Sequence, residues 1–166
     1  MKKKETSNVL KGAVAGLVGG IAATVVMGGF QTLLSSFSES DKKSKKEKKE
    51  PANVKAAKKI SKDVFDHRLT ESEKKPAGEA MHYAMGATSG LIYGIASEVA
   101  PETTIGAGLP FGAAVWLIAD EVVVPALGLS KPVTEFPLST HVSALSAHLV
   151  YGLTTDLVRR AVRDLL

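Results

Sequence analysis

The sequence predicts an all-α integral membrane protein. About four transmembrane helices form two hairpin repeats, and an amphipathic helix lies on the surface. Three observations predict it. The chain carries 21 Lys and Arg and 17 Asp and Glu over 166 residues, yet residues 12–38, 80–97, 103–119 and 136–155 hold none of them. Basic residues cluster at both ends. Within the uncharged stretches glycines recur every fourth residue. A helix rises about 1.5 Å per residue, so roughly 20 residues span a bilayer core of about 30 Å. The alternative, a soluble bundle, is disfavoured because soluble helices keep a charged face. Cysteine is absent, which excludes disulfides, a thiol nucleophile and a cysteine metal site.

The first region, residues 1–37, opens with Lys2, Lys3, Lys4 and Lys11 and continues as GAVAGLVGGIAATVVMGGFQTLLSSF. Gly12, Gly16 and Gly20 fall on one helix face. In water each such glycine costs a helix about 1 kcal/mol. In lipid a small-xxx-small stripe lets backbones approach closely. A secretory signal peptide is a competing reading, but the uncharged run is longer than the usual h-region of about 7–15 residues. A re-entrant or interfacial hairpin is another.

The second region, 38–80, starts with the lysine-rich run SESDKKSKKEKKEP, which cannot pack a core and reads as a mobile linker. After Pro51, the residues Val54, Ala57, Ile60, Val64 and Leu69 fall near one face, ringed by Lys55, Lys58, Lys59 and Lys62. This is the pattern of an amphipathic helix on anionic headgroups, or of a solvated helix capping the bundle. The charge run is mixed and lacks interleaved aromatics, so no nucleic acid is expected.

The third region, 81–166, holds three further segments: 80–99, with Gly86, Gly90 and Gly94 four apart and expected to line a close helix contact; about 105–127, with Pro110 and Pro125; and about 137–158. The last ends in Arg159, Arg160 and Arg163, expected to snorkel to headgroups. Basic residues at both termini favour the cytoplasmic side and an even number of crossings. The 38–80 region conflicts with that, since four crossings place its lysines outside.

A repeat is visible. LIYGIASEV (91–99) matches LVYGLTTDL (149–157), pairing Tyr93 with Tyr151, Gly94 with Gly152 and Glu98 with Asp156. Fainter, AGLVGG (15–20) echoes AGLPFG (107–112). Two parallel hairpins follow. Glu98 and Asp156 then lie at equivalent depths near the inner face, and Gly28 and Gly29 stand where the second hairpin has Asp120 and Glu121.

Asp120 and Glu121 interrupt the greasy stretch WLIADEVVVPALGL. Counted from the segment centres, their level falls between His148 and His141, which share a helix face seven residues apart. Pro125 cannot donate to the carbonyl of residue 121, which frees an acceptor beside them. At least one carboxylate is expected to face the interior and pair with a histidine or that carbonyl, the other turning toward segment two or the outer headgroups. Three readings follow: a His–carboxylate bond that fixes packing, a proton or cation site, or a transition metal held with the help of His82 near His141. The two histidines lie about 10.5 Å apart along the axis, so no metal is assigned, and no cofactor is expected. No nucleophile–base pair, phosphate loop or HExxH-type motif appears, so no enzyme is predicted.

The stretches PANVKAAKKISK, PAGEAMHYAMGATSGLIYG, FGAAVWLIADEVVVPALGLS and STHVSALSAHLVYGLTTDLVRR resemble those of the YagU-like bacterial inner-membrane proteins, a family of unknown function. The resemblance covers most of residues 10–163. It implies a small multi-pass protein of the bacterial cytoplasmic membrane, and an association with acid tolerance. It transfers no catalytic or ligand residue. The expectation is a non-enzymatic inner-membrane protein with a His/carboxylate cluster (Asp120, Glu121, His141, His148, His82) supporting acid-stress or envelope homeostasis. A proton-coupled or cation-conducting protein is the first alternative, and an accessory subunit of a larger membrane complex the second. The expected partners are the bilayer and either a second copy or such a complex.

Overall fold

The computed structural model describes residues 2–37 and 50–166. Most of the linker expected at 38–50 lies outside the described residues. Among them there is no strand. The helices are α1 (Lys2–Phe37), α2 (Ala52–Phe65), α3 (Glu71–Val99), α4 (Leu109–Trp116), its π-helical continuation Leu117–Val123, α5 (Val124–Ala126) and α6 (Leu138–Leu165). Short 3-10 turns at Pro101–Thr104 and Val133–Glu135 connect α3 to α4 and α5 to α6.

Among the described residues two helical stretches are long and apolar enough to cross a membrane, Thr6–Phe37 and Leu109–Ala126, with mean hydropathy 1.9 and 1.5. The uncharged parts of α3 and α6 fall short of that mark because His82, Tyr83, Thr88 and Ser89, and Ser139, Thr140, His141 and Ser143, dilute their apolar residues. The segment boundaries also shift. The first helix is one unbroken rod from Lys2, about 54 Å long at 1.5 Å per residue, which overturns the re-entrant hairpin. The second starts at Glu71, well before the uncharged stretch, because Glu73 Oε2 accepts from the Thr70 backbone N–H at 2.8 Å and from its hydroxyl at 2.8 Å, the reciprocal arm of a capping box. The third starts late. Gly106, Ala107 and Gly108 all have positive φ, which no right-handed helix tolerates, so α4 begins only at Leu109 with Pro110 in its first turn, where no donor is needed.

The helices meet through glycine. A Cβ on Gly16 would lie 2.2 Å from the Gly90 carbonyl oxygen, one on Gly20 2.3 Å from that of Gly86, and one on Gly94 2.1 Å from that of Gly12. These pairs fix an antiparallel α1–α3 contact, backbone on backbone. The second hairpin repeats it: a Cβ on Gly112 would lie 2.1 Å from the His148 carbonyl oxygen, and one on Gly108 2.1 Å from that of Gly152. Gly108 thus needs glycine twice, for its φ of 79° and for space.

These contacts correct the faint half of the repeat. Gly108 sits on Gly152 and Asp156 as Gly12 sits on Gly94 and Glu98, and Gly112 sits on His148 and Gly152 as Gly16 sits on Gly90 and Gly94. The true match is one helical turn away from AGLVGG against AGLPFG. The counterparts of Asp120 and Glu121 are therefore Thr24 and Val25, not Gly28 and Gly29. A stripe of period four looks alike after a slip of four, which is why the echo misled.

α1 also runs antiparallel to α6, where Gly19 abuts the Thr155 backbone and Ala23 and Met27 pack with Ala147 and Tyr151. The interior is small and polar, while large apolar side chains point outward on all four long elements. Thr155 and Asp156 are 0% exposed, whereas Val25 is 56%, Ile92 59%, Ile118 59% and Leu157 56% exposed. The helix α2 packs Val54 and Ala57 against α3, with Val54 over Gly78. It is tied down by Asn53 Nδ2 donating to the Gly78 carbonyl and Lys55 Nζ to the Leu129 carbonyl, each at 2.9 Å. Leu69, expected on its apolar face, comes after the helix ends at Phe65.

Two predictions follow from the packing and the cap. Gly90→Ala forces a Cβ into the Gly16 backbone and should cost about 1–3 kcal/mol, read as a lowered unfolding midpoint in mild detergent. Gly28, with nothing within 4 Å of its would-be Cβ, should gain about 0.5–1 kcal/mol on change to alanine. Equal effects at the two positions would mean the α1–α3 contact is not close. The Thr70 backbone N–H, the Thr70 hydroxyl and His67 hold the Glu73 carboxyl below its ordinary value of 4.5. A depressed folded pKa gives stability that is present above 4.5 and lost as pH falls through the lower folded value. The first turn of α3 should therefore fray in acid, visible in backbone chemical shifts of residues 70–74. In Glu73→Ala those shifts should be frayed at every pH.

Candidate functional site

Three polar layers cross the bundle. The outermost is built by the π-helical turn. The amide that would serve the Glu121 carbonyl belongs to Pro125 and has no hydrogen, and the backbone widens so that the Val124 N–H reaches back to Ala119. Adjacent side chains on a helix normally diverge by about 100°. Here both carboxylates reach α6, at different heights. His141 Nδ1 lies 2.7 Å from Glu121 Oε1, and its Nε2 lies 3.2 Å from the Val133 carbonyl oxygen. A carbonyl only accepts, so Nε2 carries a proton. One more proton must then lie in the 2.7 Å contact, on His141 as an imidazolium–carboxylate pair or on Glu121 as a neutral pair. Phe136 closes this layer edge-on to His141, ring centroids 6.4 Å apart.

The middle layer is Asp120, His148 and His82. His148 Nδ1 donates to the Ala144 carbonyl at 2.9 Å, and Asp120 Oδ2 stands 3.8 Å from the same nitrogen, near but not bonded. No described residue donates a hydrogen bond to Asp120. Its charge couples to His148 and to His82 across the space between them. All three line a half-open cavity of about 680 Å³ between α1, α3, the α4–π segment and α6, with α2 along one side. The walls are apolar (Met27, Met85, Val115, Leu127). Tyr151 and Thr24 reach it too, but their hydroxyls are spent on the Gly86 carbonyl at 2.7 Å and the Gly20 carbonyl at 2.8 Å.

The innermost layer gathers the basic C-terminus. Asp156 is fully buried, with Arg159 Nη2 at 3.0 Å on Oδ1 and Arg160 Nη2 at 2.8 Å from Oδ2, the latter poorly aligned for a hydrogen bond. Glu98 receives Arg163 Nε at 2.7 Å and Nη2 at 3.2 Å, and Arg163 also reaches Asn8 at 3.4 Å. Tyr93 stacks on Phe111 with centroids 4.4 Å apart while Arg159 lies over its ring at 5.7 Å. The Tyr93 hydroxyl is buried close enough to Asp156 to couple to it, without an aligned hydrogen bond. Arg160, outside the apolar segment, is held charged by Asp156, and Arg163 by Glu98, each raised above the ordinary guanidinium value.

Several expectations change here. Asp120 and Glu121 take different histidines of α6, and neither uses a carbonyl of its own turn. His82 stands with His148 and Asp120 rather than with His141. Among the described residues no group of three or more His, Asp and Glu side chains is placed to hold a metal. Arg159 and Arg163 turn inward instead of snorkelling outward, because Asp156 and Glu98 would otherwise be buried charges without partners. Glu98, Asp156 and Tyr93 lie in the arginine layer, Tyr151 reaches the middle-layer cavity, and Gly86, Gly90 and Gly94 lie on the α1 face. The sequence reasoning did not pair the arginines with these carboxylates, although DLVRR places Arg159 and Arg160 three and four residues after Asp156, where one helix face brings them together. It offered a helix capping the bundle as one of two readings of α2, without the Asn53 and Lys55 contacts that seat it.

A family model described as "Protein of unknown function (DUF1440)" matches residues 42–157. The chain is 31% identical over 72 residues to the "Inner membrane protein YagU" of Escherichia coli (strain K12), a stretch covering 43% of this chain and 35% of that relative. No solved structure matches.

Breaking a buried pair leaves an uncompensated charge, at about 3–5 kcal/mol. Asp156→Ala should therefore lose that much stability, by denaturant titration in mild detergent, and Asp156→Ala with Arg159→Met should recover part of it. A single mutant as stable as the parent would show the layer to be solvated.

Proposed function

Since this chain belongs to the DUF1440 family of unknown function, its own residues must carry the argument, and we propose that it is a non-enzymatic, four-crossing protein of the bacterial cytoplasmic membrane with both termini inside. One observation carries this reading: the bundle is inside-out. Glycine, threonine, tyrosine and paired charges fill its interior, while Val25, Ile92, Ile118 and Leu157, one on each long element, face outward. Water would oppose that arrangement on all four, and lipid favours it. The relative's name, an inner membrane protein, supports the same reading.

The approach of the two chain ends supports an even number of crossings. Lys11 Nζ bonds the Leu166 carbonyl at 2.5 Å, and Arg163 reaches Asn8. Basic residues flank the first and last helices directly at this end, and the first helix usually dominates orientation. The lysines of α2 then face the opposite side.

Within that frame the His–carboxylate layers serve acid-stress or envelope homeostasis. Ionisable groups at such depth are costly and usually mark function. A second reading, proton or cation handling, is favoured by the single proton held between Glu121 and His141, whose other nitrogen is already committed to Val133.

Single cysteines in the cysteine-free chain test the topology. Positions 3, 102 and 164 should resist a membrane-impermeant maleimide on intact cells, and position 68 should react. The opposite pattern would invert the orientation but keep four crossings. Opposite behaviour of positions 3 and 164 would refute the even number of crossings.

A further inference from the structure

The cavity beside α2 has a use that the packing of the bundle does not require. Its volume of about 680 Å³ exceeds what a water cluster needs and falls within the range of small-molecule sites. Three of the chain's four methionines, Met27, Met81 and Met85, line it together with Val115 and Leu127. Methionine walls adapt to apolar bodies of differing shape.

The polar content is narrow. Tyr151 and Thr24 have spent their protons on backbone carbonyls. His148 has spent its Nδ1 proton on Ala144. At the mouth Lys59 and Asp63 pair with one another at 3.4 Å and cancel. Gln31, Asn53, Ser89 and His82 line the cavity as well, none of them an anion, and the remaining carboxylate is Asp120, which receives no hydrogen bond from a described residue. Of the carboxylates in the lining it is the one not offset by a lysine.

We propose that this cavity binds a hydrophobic organic monocation, its charge on Asp120 and its apolar body among the methionines. A small inorganic cation fits less well, because it needs several oxygen ligands and the walls offer mainly carbon and sulfur. An organic anion meets the wrong sign. The helix α2, held by the Asn53 and Lys55 contacts, flanks the entrance from the side opposite the chain termini. The proposal goes beyond the proton-or-cation reading, which rests on the Glu121–His141 contact in another layer. It does not depend on which side of the membrane that entrance faces, so the topology experiment can fail without touching it.

Tetraphenylphosphonium and tetraphenylborate, alike in shape and opposite in charge, are suitable probes. Binding of each to the full chain in detergent micelles would be measured by equilibrium dialysis. The phosphonium should bind saturably and the borate at least tenfold more weakly. Asp120→Asn, which keeps the side chain's size, should weaken phosphonium binding at least tenfold. Glu79→Gln, outside the cavity, should leave it unchanged. Ala56→Trp, which fills the cavity from the α2 side without altering charge or the four-helix core, should abolish it. Equal binding of the two ions would reduce the effect to partition into apolar surface and overturn the proposal. Unaltered binding by a monodisperse, helical Asp120→Asn protein would overturn it as well.

Discussion

Everything else in this structure depends on backbone touching backbone. Where Gly16 meets Gly90 and Gly112 meets the His148 carbonyl, no side chain separates the helices. Such close approach leaves little interior volume, so large apolar side chains have nowhere to go but outward. In water that would be fatal to the fold, since burying apolar area is the main driving force. In lipid the outward face loses nothing, and stability comes from close packing and from satisfied polar groups inside. The glycine seams and the outward-facing leucines and isoleucines are thus two consequences of one constraint.

The same constraint explains where charge is tolerated. A tight bundle admits an ionisable group only with its partner already in place. Asp156 has Arg159 and Arg160, Glu98 has Arg163, and Glu121 has His141. Among the carboxylates Asp120 is the exception. It stands 3.8 Å from His148 and receives no hydrogen bond. It is tolerated because it opens onto a cavity, and the cavity exists because the helices part near the π-helical turn. The widened backbone at Leu117–Val123 follows from Pro125, whose missing N–H prevents an ordinary turn.

The parts of this architecture legible in the sequence were those encoded by composition and short period. Uncharged stretches located the helices, the fourfold glycine spacing of Gly86, Gly90 and Gly94 pointed to a seam, and the spacing of His141 and His148 brought the carboxylates and histidines to one neighbourhood. The parts that were not legible depend on partners distant in the chain. Nothing local says that Arg163 turns inward, since that is decided by Glu98, 65 residues away. Nothing local places α2 beside the cavity, since Lys55 finds the Leu129 carbonyl, 74 residues on. The uncharged parts of α3 and α6 average to a lower hydropathy than α1, because glycine-close packing leaves room at their interior positions for small or polar groups.

With the repeat in its corrected register, the two hairpins divide the labour. At the end that holds the arginines they agree: Gly94 and Gly152, and Glu98 and Asp156, fill matching places. Toward the other end they part. Where the first hairpin has Gly20 against Gly86, the second has Trp116 and Ala144. Where the first has Thr24, Val25, Tyr83 and Gly90, the second has Asp120, Glu121, His141 and His148. The first hairpin keeps its seam closed along its whole length. The second gives up glycine at this end, where the π-helical turn begins. Each ionisable residue of the two outer layers on this hairpin replaces a neutral residue of the other. The inner arginine layer and the first seam therefore serve as the fixed frame, and the outer half of the second hairpin is where this fold has room for chemistry.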